Sequence, residues 1–115
     1  MQLIIHSQTG INRISADKII RIEALGNYSK IYLVYSNPLV VSKVLTWCQE
    51  KLPEDMFARV HRSHLVNKSY VTKISDGEHK TILMSNGDII AVSRRSATYT
   101  LRTLKEINTA TKIAS

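Results

Sequence analysis

The chain predicts a mainly β domain of short antiparallel strands with one or two short helices. Three observations carry that expectation. Short runs rich in β-branched and aromatic residues recur along the 115 residues. Turn-forming pairs (Gly26-Asn27, Asn37-Pro38, Asp76-Gly77 and Asn86-Gly87) separate them, as expected of strands joined by tight connections. A single internal segment shows a clear helical period, which limits helix to a minor share.

The elements follow in order. Residues 19–24 are apolar and β-branched, and Gly26-Asn27 breaks them. Residues 28–35 are a run of aromatic and β-branched side chains, with the high propensity expected of a half-buried pleated surface. Asn37-Pro38 turns the chain into a short strand at 39–41. Ser42 is placed to cap a helix in which Val44, Leu45, Cys48 and Leu52 recur at helical spacing, Trp47 widens the stripe and Pro53 ends it. Residues 71–75, 80–85 and 88–92 read as three further strands. Asn86-Gly87 is a strong hairpin signal, expected as a two-residue type I′ turn with positive φ at both central positions. A second, weaker helix starts near Ser96, with Ala97, Leu101, Leu104 and Ile107 inward and Arg102 and Lys105 outward. Residues 108–115 lack periodicity and read as a frayed tail, leaving 1–107 as one domain.

Composition bounds the function. The chain is 43% hydrophobic and 22% charged, with 4 Gly and 2 Pro, which is globular rather than disordered. A net charge of +7 favours a polyanionic partner. Carboxylates are absent from 24–49, 56–75 and 89–105, so the positive field is segregated along the chain. One cysteine excludes an intramolecular disulfide and suits a reducing compartment. With no signal-peptide pattern at the start and no long apolar run, the expected location is cytoplasmic.

The stretch Phe57-Ala58-Arg59-Val60-His61-Arg62-Ser63-His64-Leu65-Val66-Asn67 concentrates arginine, histidine and polar side chains among apolar anchors. Arg62 is held by flanking apolar residues, and an anchored guanidinium suits phosphate or the edge of guanine. Arg94 and Arg95 follow the last apolar strand directly and are expected to project from its end. Ser63, Ser93 and Ser96 add hydroxyls suited to phosphate. The competing reading is that these arginines merely pair with Glu54, Asp55 or Asp88. Tyr28, Tyr32 and Tyr35 could stack on single-stranded bases, but Tyr35 breaks the strand parity of the other two, which favours cross-strand packing.

Enzymatic chemistry is not expected. His61 and His64 lack companion ligands at zinc-site spacing, and on one continuous strand they would face opposite sides. Cys48 lies on the apolar stripe of the helix and reads as a core residue. Phosphate-loop and nucleophile-elbow motifs are absent. No metal and no cofactor are expected.

These segments, taken together, resemble the LytTR domain, the DNA-binding output module of LytR/AlgR-type bacterial response regulators. The likeness runs from about Gly10 to Leu104. It rests on Asp17-Lys18-Ile19-Ile20-Arg21-Ile22-Glu23-Ala24-Leu25-Gly26-Asn27-Tyr28, on the 57–67 stretch and on Val92-Ser93-Arg94-Arg95, in that order and spacing. The resemblance implies an elongated β-β-β sandwich of small antiparallel sheets. It implies sequence-specific binding of double-stranded DNA for transcriptional regulation, with loops rather than a recognition helix entering successive major grooves. Contacts are then expected from Asn27, Tyr28, Ser29 and Lys30, from Arg62 and Ser63, and from Arg94 and Arg95. Ser29 or Lys30, Arg62 and Arg95 are the base-contact candidates, and His64 is a phosphate contact or scaffold. Family sites imply two protomers on paired direct repeats. Family members usually carry a receiver domain, for which this chain has no length; the expectation is an excised output domain or a stand-alone regulator. Two other readings stay open: an RNA or single-strand binder, and a module of this fold acting mainly through a protein partner.

Overall fold

Ten strands, every pairing antiparallel, form three small sheets in the computed structural model, which describes residues 1–77, 79–95, 102 and 104. Strands β1 (Gln2–Ser7) and β2 (Gly10–Ser15) make a hairpin. Strands β3 (Ile19–Leu25), β4 (Tyr28–Leu33), β5 (Leu39–Val41), β6 (Phe57–His61) and β7 (His64–Asn67) form a five-stranded sheet in the order β5-β4-β3-β7-β6. Strands β8 (Val71–Asp76), β9 (Lys80–Met84) and β10 (Ile89–Ala91) form the third sheet. Helix α1 (Leu45–Lys51) connects β5 to β6.

The five-stranded sheet is the middle layer. One face, with Ile19, Ile22, Ile31, Phe57 and Leu65, closes over Leu3, Ile5 and Ile14 of the first hairpin and Leu45, Cys48 and Leu52 of the helix segment. The other, with Ile20, Ala58, Val60 and Val66, packs on Ile82, Met84 and Ile90 of the third sheet. Two cores on opposite faces of one sheet make the molecule elongated, 44 × 30 × 23 Å. This is the β-β-β sandwich expected above. Strict alternation would send Ile19 and Ile22 to opposite faces. A register shift between Ile19 and Arg21 inserts one residue and returns both to the first core.

Two local expectations are corrected, and one element carried no expectation. The hairpin at 2–15 was not anticipated, because the consecutive apolar residues Leu3-Ile4-Ile5 mask an alternation in which Leu3 and Ile5 are buried and Ile4 is exposed. Ser42 does not cap the helix. Ser29 Oγ donates to the Lys43 carbonyl at 2.6 Å, in the bend before Val44, whose extended backbone forms the N-terminal flank of the helix. Val44 is consequently exposed instead of joining the inward stripe. Asn86-Gly87 is not a type I′ turn, since no non-glycine residue has positive φ among the described residues. Met84 N–H donates to Asp88 O and Gly87 N–H to Met84 O, giving a three-residue loop with Gly87 at φ +92. That is the bulged hairpin in which a single left-handed residue follows a type I turn.

The expected helix beginning at Ser96 and the tail lie outside the described residues, except for Arg102 and Leu104. Both are helical; Leu104 is buried in the second core and Arg102 is exposed.

Candidate DNA interface

Two turns lie at the same edge of the five-stranded sheet. Leu25 pairs with Tyr28 across Gly26-Asn27, with Gly26 at φ +59. Positive φ at the first central position only is the type II′ arrangement, which matches the twist of the flanking strands and suits glycine there. His61 pairs with His64 across Arg62-Ser63. Because β3 and β7 run antiparallel with Glu23 opposite His64, the second turn emerges beside the first. Ala24 N–H donates to Ser63 O at 2.9 Å and ties them together.

The third segment joins from the other sheet. Ser93, just after β10, donates its N–H to Val60 O at 2.9 Å. The segments around 26–28, 62–63 and 93–95 are thus neighbours, and the β6–β7 hairpin between them bonds to β3 through Ser63 and to Ser93 through Val60. Helix propensity or turn chemistry alone would not produce this; two backbone hydrogen bonds between residues far apart in sequence do.

The cationic side chains divide into two sets. Arg62, Arg94 and Arg95 are exposed, and among the described residues none lies within ion-pair distance of a carboxylate. The competing reading, neutralisation by Glu54, Asp55 or Asp88, does not hold, because Asp88 is taken by a different arginine. Arg21 is 6% exposed. Its Nε donates to Asp88 Oδ2 at 2.9 Å, its Nη1 to Glu23 Oε1 at 3.2 Å, and its guanidinium lies 3.8 Å from the centre of the Tyr32 ring. It thereby links the middle sheet to the β9–β10 loop. Arg59 is half-buried: Nε donates to His61 O at 3.0 Å, one terminal nitrogen to the Arg62 carbonyl, and the other to Gln49 Oε1 at 2.9 Å. Desolvation draws its pKa below the usual arginine value.

The remaining expected residues separate clearly. Asn27 and Tyr28 are exposed, and Lys30 is half-buried with its ammonium 5.2 Å from the Tyr32 ring. Ser29 is a correction: it is 0% exposed and its hydroxyl is spent on the Lys43 carbonyl. Strand parity puts it with Ile31 on the first core, so it cannot be a base contact. Ser63 is half-buried at the middle turn, and its N–H donates to His61 Nδ1 at 3.1 Å. His61 and His64 are not on one continuous strand; facing each other across the hairpin, their rings lie 5.2 Å apart on the same side.

His64 is half-buried beside the middle turn. Its Nδ1 is buried without a hydrogen bond, 3.9 Å from Glu23 Oε1. Burial lowers its pKa from the ordinary histidine value, with Glu23 opposing and Arg21 and His61 adding to the decrease. Cys48 is buried, and desolvation raises its thiol pKa. The tyrosines form no common platform: Tyr32 is covered by the Arg21 guanidinium, while Tyr35 is exposed beyond the end of β4, near Lys18. Asn67, within the motif stretch, is buried; it donates to Ile19 O and Ala16 O and accepts from Ser69 N–H.

Local sequence pattern does not mark the partners of Arg21, Arg59, Asn67 or Gln49. A single arginine inside the apolar run Ile19-Ile20-Arg21-Ile22 was the available signal, since a buried charge requires partners.

A β-sandwich that sets exposed arginines on adjacent segments offers a basic surface suited to a polyanion. The chain matches the LytTr DNA-binding domain family over residues 9–107, and it belongs to that family. It is 37% identical over 65 residues to the sensory transduction protein LytT of Bacillus subtilis (strain 168). That alignment takes in 55% of this chain and 27% of the relative, so the chain spans about a quarter of that protein's length. Its fold is similar to the solved LytTr DNA-binding domain of a putative methyl-accepting/DNA response regulator from Bacillus cereus. The TM-score is 0.75 at 23% identity, covering 90% of this chain and 95% of the other.

Proposed function

We propose that this domain binds double-stranded DNA sequence-specifically to regulate transcription, using three turn segments on one edge of the sandwich. The observation that carries the reading is that Arg62, Arg94 and Arg95 are exposed, and without carboxylate partners among the described residues, on segments tied side by side by the 24–63 and 60–93 backbone bonds. Arg62 and Arg95 read base edges. Arg94, Ser63, Asn27 and Tyr28 hold the phosphate backbone, with Lys30 nearest them on β4. The 26–28 and 93–95 segments flank the middle turn, which suits successive major grooves along one face of the duplex. Two protomers on paired direct repeats complete the site, and this work is cytoplasmic. Histidine 64 supports the middle turn rather than touching DNA.

The test begins with selection of duplexes from a random pool, which reports the bases read and the repeat spacing. Arg62→Ala and Arg95→Ala are each expected to cost about 1–3 kcal/mol on the selected duplex and less on a scrambled one. Affinity falls steeply with added salt, because neutralised phosphates release counterions. Equal losses on both duplexes would reassign that arginine to a phosphate. Absence of any sequence-selective duplex binding by the folded protein would overturn the reading.

A further inference from the structure

We propose that Arg59 is a positioning residue for DNA recognition: it shapes the Arg62-Ser63 turn from behind and couples that turn to helix α1 through Gln49. The inference rests on the reading of Arg62 as a DNA contact.

The reasoning starts from β6. Arg59 pairs with Leu65 of β7, and the register then shifts before His61 meets His64. A shift of this kind interrupts the ladder and leaves carbonyls without regular strand partners. Val60 O is taken by Ser93 N–H. The carbonyls of His61 and Arg62 are taken by the Arg59 guanidinium, through Nε at 3.0 Å and through a terminal nitrogen. The third direction of the same planar fork meets Gln49 Oε1 at 2.9 Å.

The rest of the turn is held as well. His61 Nδ1 accepts from Ser63 N–H, and Ser63 O accepts from Ala24 N–H. The bonds to His61 O, Arg62 O, Ser63 N–H and Ser63 O restrain the turn backbone, while the Arg62 side chain stays exposed. Arg59 directs its donors to protein oxygens and is half-buried, so its charge serves the turn rather than a phosphate. A guanidinium is suited to this task because its donors point along fixed, divergent directions. A lysine ammonium on a flexible stem would not hold three acceptors in one plane. Restraining the turn before DNA arrives removes an ordering cost from binding, which is how a residue without DNA contact affects affinity.

Double-mutant cycles test this, using a duplex selected from a random pool and a scrambled duplex. Arg59→Gln is expected to weaken binding to the selected duplex about 10-fold. Arg59→Lys keeps the charge and is expected not to rescue it. Gln49→Ala alters no charge, lies at an exposed position of α1 and is expected to weaken selected-duplex binding roughly 3-fold with little effect on the scrambled duplex. In an Arg62→Ala background both effects should shrink to less than about 2-fold, because the side chain being positioned is gone. Additive losses would overturn positioning and make Arg59 an independent contact. Full rescue by lysine would do the same. If Arg62→Ala alone leaves selected-duplex binding unchanged, the contact assignment of Arg62 fails and the positioning role falls with it. Should Arg59→Gln lose its fold by thermal melting, the Gln49→Ala cycle decides the matter alone.

Discussion

Replacing Arg21 by methionine tests whether the middle and third sheets are joined by the one buried arginine. The substitution keeps an unbranched stem of similar length and removes the guanidinium. It deletes the 2.9 Å bond to Asp88 and the 3.2 Å bond to Glu23, and it leaves two carboxylates with no cation between them. A hydrogen bond to a charged group contributes about 1.5–3 kcal/mol. The full penalty for breaking a buried ion pair, about 3–5 kcal/mol, does not apply, because the Asp88 and Glu23 side chains are 34% and 27% exposed and water can reach them. Loss of the cation over Tyr32 adds about 0.5–1 kcal/mol. Halving each of the two bonds for that exposure leaves about 1.5–3 kcal/mol together, so the expected destabilisation is about 2–4 kcal/mol, which lowers the melting temperature of a domain this size by roughly 8–16 °C. Thermal unfolding of Arg21→Met, Asp88→Asn and the double variant measures it, with a coupling of about 1–2 kcal/mol expected between the two sites. A melting temperature within about 2 °C of the parent for Arg21→Met, or coupling near zero, would refute the reasoning.

The other stability predictions concern buried polar groups of the 57–67 stretch. The His64 pKa is lowered in the folded state, chiefly by burial. Above the unfolded value of about 6.5 both states hold a neutral ring and the contribution is complete; below it the unfolded chain takes the proton first, so stability falls as pH drops toward the folded pKa. Denaturant midpoints at pH 7.5 and 5.5 are expected to differ less in His64→Gln than in the parent, and a His64-dependent rise in stability on acidification would show that attraction to Glu23 outweighs burial. Asn67→Ala is expected to cost about 1–3 kcal/mol by urea unfolding, since it leaves the carbonyl of the buried Ile19 without its amide donor and removes the bond from Ser69 N–H. Asn67→Asp is expected to cost no less despite its similar shape, because an acceptor then faces the carbonyls of Ile19 and Ala16; wild-type stability for that variant at pH 7 would contradict the assignment of the amide.

Strand positions were readable wherever side chains alternated between turn pairs, as in β4, β9 and β10, because pleat and turn chemistry act within a few residues. The helix stripe Leu45-Cys48-Leu52 and the stop at Pro53 were readable for the same reason. So was the deficit of carboxylates around Arg62 and Arg95, which is a property of composition along the chain. The first hairpin was hidden by its continuous apolar run, and the helix start was displaced by a bond from Ser29, a residue remote in sequence.

At the interface the same division holds. Arg59 and Arg62 are both arginines in one short stretch, and no local rule says that one points inward to carbonyls while the other is left exposed. That assignment depends on a register shift between β6 and β7 and on Gln49 of the helix coming within reach. Arg21 likewise acquires its partner 67 residues away only when the third sheet docks. Periodicity and turn chemistry report what each residue does to its near neighbours in the chain. Which turns stand side by side, and which arginine remains available for DNA, follow from the order of strands and the packing of three sheets on two cores, where contacts join residues that sequence distance keeps apart.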